Sequence, residues 1–421
     1  MKRIVILCHY WSDEMAEMVG RKHYFRELSP WIQETLNLFK NKEDVEMHVV
    51  APNYASNTDV FCEKDGISFH YYKYAPPVLS VFMLILIKLF VKHDEPYKIA
   101  ERTANLATRF CYPKHRIPKI IKKIQPDLIH LYGSENLDYS VGILPFLEET
   151  PVLLTIQGYA YLMKETKNPF IQNSNNLRKR YEMIINSRVK YVTNYGIDYG
   201  FEPFENGQKK YVLSAITRIP KEDASKTIKK YDIVFYARIN EEKGVEDLLH
   251  AVGFLKRKGF PYKTIIVGKA EETYLEKLKH IVKEETIEEL VEFTGFLNDH
   301  EDVYKIAANS KVLAFPSHND VSPNTIREAM FMKLPVVAYG IGGVPFFNVH
   351  SECLCLVNEI DVCEFADALH KVITDDDYRN RLIGNAYKEA TNYYAPEKIY
   401  EQSINIYKDI LGIPTSSREE S

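Results

Sequence analysis

One short segment, residues 318–330 (HNDVSPNTIREAM), combines two carboxylates with the predicted start of a helix. Ser322 is a preferred N-cap residue and Pro323 a preferred first helical residue, so the sequence predicts a helix that begins at Pro323. The N–H groups of Asn324 and Thr325 would then lack intrahelical partners, and the helix dipole would add partial positive charge. Such a helix end binds phosphate and other anions.

Asp320 and Glu328 flank this helix end. Glu328 shares a helical face with Asn324, because it lies four positions further along the helix, and its side chain leans toward the helix N-terminus. Carboxylates accept strong hydrogen bonds from sugar hydroxyls, so the segment predicts a ligand with both diphosphate and hydroxyl groups. The alternative is that both carboxylates are surface charges and that Glu328 merely favours the helix N-terminus.

A second segment, RINEEKGVEDLL at 238–249, supplies two cations. Arg238 follows the predicted strand DIVFYA, and Lys243 precedes Gly244 and the next helix. Two cations and an open helix end would neutralise the diphosphate leaving group of a glycosyl transfer; the alternative is a solvated charged turn. The glycines of GIGGVP at 340–345 either let the backbone approach a ligand closely or only form a turn.

These segments follow strands that alternate with helices. In the second half the predicted strands are DIVFYA, TIIVG, LVEFTG, KVLAF and PVVAY, and in the first half RIVIL, VEMHVVAP, ISFHYY, DLIHLY, PVLLTI and VKYVTN. Repeated βαβ units predict parallel sheets covered by helices on both faces. The fold class is therefore α/β, with ligands bound outside the carboxyl ends of the strands.

The length of 421 residues exceeds one ordinary core. We predict two Rossmann-like, doubly wound domains, at 1–215 and 216–390, that face a cleft. The segment 391–413 is predicted to be a helix that packs back on the N-terminal domain, and 414–421 a polar tail.

Composition argues against several classes of protein. The net charge of -4 gives no general reason to bind nucleic acid. The six cysteines form no CxxC pair, which favours reduced, buried thiols in the cytoplasm over a metal site or disulfides. No HxH, HExxH or DxD cluster accompanies the predicted anion sites, so we expect a metal-independent protein in which Arg238 and Lys243 replace a metal cation.

The longest apolar stretch, VLSVFMLILIKLFVK at 78–92, is shorter than a membrane span and is interrupted by Lys88. Lys88 and Lys92 are four residues apart, so they share one helical face. This stretch is either a buried or partly buried helix, or a surface helix that contacts a membrane or a lipid-linked substrate. The second alternative predicts peripheral attachment at the inner face of the membrane.

The second half of the sequence resembles the donor-binding domain of retaining glycosyltransferases of the GT-B fold, family 4 type. DVSPNTIREAM is similar to the family pattern EGLPNxxxEAM, with Asp320 in place of the first Glu and Glu328 as the second. ARINEEKGVEDLL is similar to the family's Arg…Lys-Gly phosphate segment. IIVGKAEE, VEFTGFLND, LAFPS and LPVVAYGIGGVP follow in the family's order, so the match covers 230–395 well. In the first half, DLIHLYG and PVLLTIQGY resemble family strands.

The resemblance implies a role for each matching residue. Arg238 and Lys243 would hold the donor diphosphate, to which Asn324 and Thr325 would offer backbone N–H groups. Glu328 would bind the ribose hydroxyls. The C-terminal domain would thus bind the nucleotide-sugar donor, and the N-terminal domain would bind the acceptor.

The remaining implied contacts lie in other loops. Asp320 would bind the donor sugar and form the catalytic set with the two cations. Gly268 and Phe296 would lie near the nucleobase. Gly20 would approach the donor phosphates or the acceptor, and Gln157 would contact the donor sugar.

Several residues depart from the family pattern. Asp320 is one methylene shorter than Glu, and Phe346 replaces the Glu that usually follows Gly-Gly-x-Pro. Gln157 replaces a frequent His, and glutamine cannot act as a base. A retaining transfer needs no protein base if the leaving phosphate accepts the proton. These departures leave the donor sugar open.

The leading hypothesis is a cytoplasmic glycosyltransferase that moves a sugar, with retention, from a UDP- or GDP-sugar to a hydroxyl of a glycan or lipid-linked acceptor. It implies no separate cofactor and a place in cell-surface polysaccharide or glycolipid synthesis. One alternative is a non-catalytic protein of the same fold that binds nucleotide or glycan. The other is an epimerase that acts on the nucleotide sugar itself.

Overall fold

The computed structural model describes residues 1–18, 30–54, 58–90, 96–163, 165–194, 207–214, 216–320 and 322–414. These residues form two compact units. The first unit holds the described residues of 1–194, 207–213 and 400–414, and the second holds those of 214–399. The two parallel-sheet α/β folds predicted from the strand and helix pattern are confirmed.

The sheet of the first unit has eight strands, in the order β3-β4-β2-β1-β5-β6-β7-β8. The strands are β1 (Lys2–Leu7), β2 (Val45–Pro52), β3 (Val60–Lys64), β4 (Ile67–Tyr72), β5 (Leu128–Tyr132), β6 (Val152–Thr155), β7 (Tyr191–Asn194) and β8 (Lys209–Val212). All neighbours pair in parallel except β3 and β4, which are antiparallel. The edge strand β3 is half exposed, as an antiparallel edge allows.

The sheet of the second unit has six parallel strands, in the order β11-β10-β9-β12-β13-β14. They are β9 (Tyr231–Tyr236), β10 (Thr264–Val267), β11 (Val291–Gly295), β12 (Ser310–Phe315), β13 (Val336–Tyr339) and β14 (Cys355–Val357). The chain winds outward from β9 to β11 and then returns to the other side of β9 as β12. The loops after β9 and β12 therefore flank a topological switch point, where ligands of such sheets bind.

Helices cover both sheets. In chain order they are α1 (Asp13–Met18), α2 (Pro30–Phe39), α3 (Pro77–Phe90), α4 (Pro96–Ala107), α5 (Cys111–Ile124), α6 (Pro169–Asn186), α7 (Val245–Arg257), α8 (Glu272–Glu284), α9 (His300–Ala308), α10 (Asn324–Phe331), α11 (Val362–Thr374), α12 (Asp376–Glu389) and α13 (Pro396–Ile410). Within the described ranges, no helix has the length and apolarity needed to cross a bilayer.

The second unit has a hydrophobic core on each face of its sheet. Successive residues of β9 alternate between the two cores, with Ile233 and Phe235 in one and Val234 and Tyr236 in the other. This alternation follows from the twofold side-chain period of a strand. Strands buried on both faces explain why β9 and β12 are almost continuously apolar.

The last helix belongs to the first unit from Tyr400 onward. The buried His130 on β5 connects this helix to the sheet. The His130 imidazole is hydrogen-bonded to the hydroxyl of Tyr407 on α13 (2.8 Å) and to the hydroxyl of Thr155 on β6 (2.6 Å). Burial lowers the pKa of His130 to about 3, so the ring is neutral at pH 7. Between α12 and α13 the chain makes a π-helical turn at Ala390–Tyr394.

Candidate active site

The switch point of the second unit carries the two cations predicted from the sequence. Arg238 lies two residues beyond β9 and is exposed, with no hydrogen bond or ion pair to any residue within the described ranges. Lys243 ends a short 3-10 turn, Glu241–Lys243, whose N-cap Asn240 accepts a side-chain hydrogen bond from the Lys243 N–H. The turn fixes the backbone of Lys243, whereas the Arg238 guanidinium remains available to a ligand.

Lys243 and Asp320 form an ion pair that connects the loops after β9 and β12. The Lys243 ammonium lies 2.6 Å from the Asp320 carboxylate, and the two side chains are 17% and 18% exposed. The second carboxylate oxygen of Asp320 accepts a hydrogen bond from the Ser322 N–H at 3.2 Å. The structure thus brings together one residue expected to bind diphosphate and one expected to bind the sugar.

Backbone contacts hold the same two loops together. The carbonyl of Glu242 accepts hydrogen bonds from the His318 N–H at 2.8 Å and from the Ser317 hydroxyl at 3.2 Å. Gly244 has a positive φ of 66°, and a Cβ there would lie 1.8 Å from the carbonyl oxygen of Pro316. Only glycine permits this approach. The contacts between the loops after β9 and β12 therefore fix the backbone position of Lys243.

The loop after β13 joins this arrangement through glycine. A Cβ on Gly342 would lie 2.3 Å from the carbonyl oxygen of Asp320, and Gly343 donates its N–H to that oxygen at 2.9 Å. Gly342 therefore permits a close approach to the backbone of Asp320, whereas the approach of this loop to a ligand stays a prediction.

Helix α10 begins at Asn324, with Pro323 at the N-cap, so the predicted start at Pro323 is displaced by one residue. No side chain among the described residues caps its first turn. The predicted cap, Ser322, has another partner: its hydroxyl accepts a hydrogen bond from Arg327 at 2.5 Å. Within the described residues, the first N–H groups of α10 have no side-chain partner, although Ser322 does not act as the cap, and the binding of an anion there stays a prediction.

Arg327 organises the entrance to α10. It also donates hydrogen bonds to the carbonyl of Ser322 at 3.2 Å and to the side chain of Asn324 at 3.1 Å. Its guanidinium, only 2% exposed, lies 5.2 Å from the ring centroid of Phe347 and 5.1 Å from that of Tyr394. Cation–π contacts and hydrogen bonds thus fix the turn that precedes the open helix end.

Glu328 lies partly buried on α10. Burial raises the pKa of its carboxyl to about 7, while the neighbouring Tyr304 hydroxyl and the cations Arg218 and Arg327 act in the opposite direction. Nearby, the hydroxyl of Tyr236 donates a hydrogen bond to the carbonyl of Thr325 at 3.0 Å. A ligand that offered hydroxyl donors to Glu328 would favour its ionised form.

Sequence reasoning missed four of these supporting residues. Arg218 lies just after the predicted domain boundary between residues 215 and 216. Tyr236 appeared only as a member of the predicted strand DIVFYA, and no motif of the sequence marked Tyr304. Arg327 carried no distinguishing pattern, because a guanidinium on a helix usually faces solvent.

The positions predicted to lie near the nucleobase follow β10 and β11. Gly268 has a φ of 151°, and a Cβ there would lie 1.9 Å from the carbonyl oxygen of Ala237. Phe296 follows the edge strand β11, and its ring is 62% exposed. Gly268 therefore packs directly against the residue before Arg238, whereas Phe296 lies two strands away from β9.

In the first unit, Gln157 follows β6, and its amide nitrogen is buried without a hydrogen bond to any described residue. The neighbouring strand β5 leads to Glu135, whose pKa burial raises to about 7. Glu182 on α6 accepts hydrogen bonds from the Ala160 and Tyr161 N–H groups. Gly20 lies outside the described residues.

The fold resembles that of solved glycosyltransferases of the GT-B type. Sucrose-phosphate synthase from Thermosynechococcus elongatus superposes with a TM-score of 0.69 at 16% identity, covering 98% of this chain and 100% of that chain. HepE from Anabaena, in complex with UDP, gives a TM-score of 0.62 at 16% identity, covering 97% and 100%. The class defined by fold is thus the GT-B architecture.

A family match supports the same conclusion for the second unit. Residues 218–389 match the family described as Glycosyl transferases group 1. The capsular polysaccharide biosynthesis glycosyltransferase CapM of Staphylococcus aureus is 24% identical over 180 residues, 42% of this chain and 46% of its own length. The alpha-D-kanosaminyltransferase of Streptomyces kanamyceticus is 26% identical over 178 residues, 42% and 45% respectively. The chain spans about half the length of these curated relatives, and the matched part is a glycosyl transferases group 1 domain that contains the site described above.

Proposed function

We propose that this protein is a glycosyltransferase that transfers a sugar from a nucleotide-diphosphate sugar to a hydroxyl acceptor with retention of configuration. One observation carries the proposal. At the switch point of the second sheet, an unengaged guanidinium (Arg238), an ammonium (Lys243) and an uncapped helix end (α10) share one edge with the carboxylate of Glu328. These are the groups that a diphosphate joined to a sugar requires.

The proposed reaction breaks the bond between the anomeric carbon and the diphosphate oxygen. The diphosphate leaves with the electron pair, and Arg238, Lys243 and the N–H groups of Asn324 and Thr325 neutralise its charge. The acceptor hydroxyl attacks from the same face and gives its proton to the leaving phosphate oxygen, so no protein base is needed. Gln157 would contact the donor sugar, since it cannot take a proton.

The Lys243–Asp320 pair gives each residue a defined role in this reaction. The developing negative charge of the diphosphate would compete with Asp320 for the Lys243 ammonium. Asp320, released in part from the pair, would then accept a hydrogen bond from a hydroxyl of the donor sugar. Binding of the diphosphate by Lys243 and binding of the sugar by Asp320 would thus be coupled through one ion pair.

The donor is proposed to be a UDP-sugar first and a GDP-sugar second. HepE has been solved with UDP and with UDP-glucose, and its fold is shared by this chain. Gly268 and Phe296 would lie near the base, and Glu328 would accept hydrogen bonds from the ribose. The reaction is proposed to need no metal ion or other cofactor, because the two cations neutralise the diphosphate.

The acceptor is proposed to be a glycan or a lipid-linked glycan of a cell-surface polymer or glycolipid. CapM of Staphylococcus aureus is a glycosyltransferase of capsular polysaccharide biosynthesis. The lipopolysaccharide outer core galactosyltransferase WaaB has the same fold, with a TM-score of 0.62 at 15% identity. We propose a cytoplasmic enzyme with peripheral membrane contact through residues 78–92.

The experiment is a screen of purified protein with a panel of UDP- and GDP-sugars and candidate acceptors, read out as nucleotide release, in buffer with and without a chelator. Turnover with one donor is expected, with the chelator having no effect. Arg238→Ala and Glu328→Ala should each lower turnover by about a hundredfold or more, whereas Lys279→Ala, an exposed lysine on α8, should not. Full turnover in both site variants would refute the assignment.

A second candidate function is a binding protein without transferase activity. The ion pair between Lys243 and Asp320 favours it, because each residue neutralises the other in the absence of ligand. Tight UDP binding without nucleotide release, across the whole acceptor panel, would support this candidate instead.

A further inference from the structure

One face of helix α3 is both apolar and exposed. Six apolar residues of this face are between 36% and 84% exposed: Val78, Val81, Phe82, Ile85, Leu86 and Leu89. They recur at intervals of one, three or four residues, so they form one continuous stripe along the helix. We call this stripe the α3 face. A contiguous exposed apolar patch of this kind marks a surface that contacts a partner or a membrane.

The other side of α3 is held to the first unit. Helix α3 packs against α4, and its Ser80 is buried, with its hydroxyl donating to the carbonyl of Pro76 at 2.7 Å. With 14 residues, the helix is about 21 Å long, too short for a hydrocarbon core of about 30 Å. It can lie along a bilayer surface, with its apolar face in the interface and its other face on the protein.

Helix α5 supplies positive charge. Its 14 residues include five lysines or arginines and no acidic residue. Lys119, Lys122 and Lys123 are exposed and make no hydrogen bond or ion pair with any residue of the described ranges. We call these three the α5 lysines. The helix therefore presents uncompensated cations to solvent.

A specific contact ties α5 to the start of α3. Arg116, in the middle of α5, is paired with the carboxylate of Asp59. The other carboxylate oxygen of Asp59 accepts a hydrogen bond from the Lys73 N–H at 3.0 Å. Lys73 lies four residues before the first residue of α3. These contacts place the middle of α5 beside the segment that leads into α3.

We propose that the α3 face and the α5 lysines form a docking surface for a lipid bilayer rich in anionic headgroups. The α3 face would enter the headgroup boundary, and the α5 lysines would contact phosphate groups of the lipids. This inference deepens the membrane contact that forms part of the proposed function. It adds the lipid charge and a second, electrostatic element in α5.

Charge complementarity selects a bilayer over a second copy of the chain. In a symmetric dimer, the same surface patch of both subunits meets itself. The α5 lysines would then be buried against apolar residues or other lysines of the patch, without an acidic partner in it, which costs free energy. An anionic bilayer supplies the opposite charge along the whole surface.

The test measures, by flotation, the partitioning of the purified protein onto phosphatidylcholine vesicles with and without phosphatidylglycerol. Wild-type protein is expected to float with the anionic vesicles and much less with the neutral ones. Phe82→Glu/Ile85→Glu should weaken this partitioning by about a hundredfold. Val81→Ser/Leu89→Ser, which adds no charge, should also weaken it. The control, Ile228→Glu, changes an apolar residue of the second unit that is 87% exposed, and should float as wild type does.

The charge component has its own matched pair of variants. Lys119→Gln/Lys122→Gln should weaken partitioning onto anionic vesicles by about tenfold or more, with little effect on neutral ones. Lys279→Gln/Lys283→Gln, two exposed lysines on α8, should have no effect. Equal flotation of wild type and the α3 variants would overturn the proposal. So would a vesicle-independent dimer that Phe82→Glu/Ile85→Glu converts to monomer, because the face would then belong to a second copy.

UDP titration of the same α3 variants separates this proposal from the proposed function. The donor residues lie in the second unit, so UDP affinity should be unchanged. Unchanged UDP binding with no flotation of the wild type would refute the docking surface alone. Flotation without turnover of any donor would refute the transferase and leave the docking surface supported.

Discussion

The ammonium of Lys243 lies 2.6 Å from the carboxylate of Asp320, and both side chains are largely withdrawn from solvent. Each residue comes from a different loop of the switch point, and glycines at 244 and 342 let the backbones of these loops approach closely. Because Lys243 and Asp320 form an ion pair, a change at Asp320 should alter how Lys243 binds the diphosphate.

Asp320→Asn should strengthen the binding of UDP while lowering transfer. Without the carboxylate, the Lys243 ammonium has no competitor for the diphosphate, so the Kd for UDP should fall by about tenfold. Transfer should fall because the amide is a weaker acceptor for the sugar hydroxyl. Calorimetric titration and a turnover assay measure the two effects. Asp302→Asn, at an exposed pair on α9, is the control. Weaker UDP binding in Asp320→Asn would show that the pair is needed intact.

Glu328 should give nucleotide binding a pH dependence. Burial raises the pKa of this carboxyl to about 7, and the ionised form is the stronger acceptor of hydrogen bonds from the ribose hydroxyls. The affinity for UDP should therefore rise as the pH increases through about 7. Glu328→Gln should lack this component, and since the titration of UDP itself is common to both proteins, the difference isolates Glu328. Parallel pH profiles would contradict the assignment.

Glu328 should also give the stability of the protein a pH dependence, with a sign opposite to that of UDP affinity. A carboxyl whose pKa is higher in the folded state than its ordinary 4.5 binds more protons when folded. Its contribution to the free energy of unfolding therefore falls as the pH rises between about 4.5 and about 7. Relative to wild type, Glu328→Gln should become progressively more stable across this window, as measured by denaturant unfolding. A constant difference across that window would contradict the raised pKa.

Arg327→Met should weaken UDP binding through the entrance to α10. The substitution removes three hydrogen bonds to Ser322 and Asn324 and should cost about 1–3 kcal/mol of unfolding free energy, because it leaves partly buried acceptors unpaired. UDP affinity should fall, since Arg327 positions the helix end, and its pH profile should move to higher pH, because the Arg327 charge lowers the pKa of Glu328. Arg327→Lys should restore part of the stability and little of the affinity. Wild-type UDP affinity in Arg327→Met would show that the turn is positioned by other groups.

Gly268→Ala should disrupt the site at the backbone. The added Cβ would lie 1.9 Å from the carbonyl oxygen of Ala237, beside Arg238, and the positive φ disfavours any side chain. We expect a large loss of UDP affinity and a lower unfolding temperature. Gly384→Ala on α12 is the matched control, because open space surrounds it and a helical alanine is favoured by about 1 kcal/mol. If the two variants behave alike, the close approach at Gly268 is not required.

Most of the fold could be predicted from hydrophobic patterning. VEMHVVAP and ISFHYY coincide with β2 and β4 as they stand, because strand-forming apolar residues recur at least at every second position along both segments. The short edge strands β3 and β8 were missed, because half-exposed strands carry little apolar signal. The predicted N-cap at Ser322 failed for a different reason. Arg327 binds Ser322 through a contact that spans five residues and depends on the rings of Phe347 and Tyr394 far along the chain.

A crystal structure of this protein with UDP would show directly which groups bind the diphosphate. We expect diphosphate oxygens within hydrogen-bond distance of the Arg238 guanidinium and of the N–H groups of Asn324 and Thr325, with the ribose hydroxyls on Glu328. A nucleotide bound elsewhere, or a diphosphate that leaves the N-terminus of α10 without contact, would contradict this expectation.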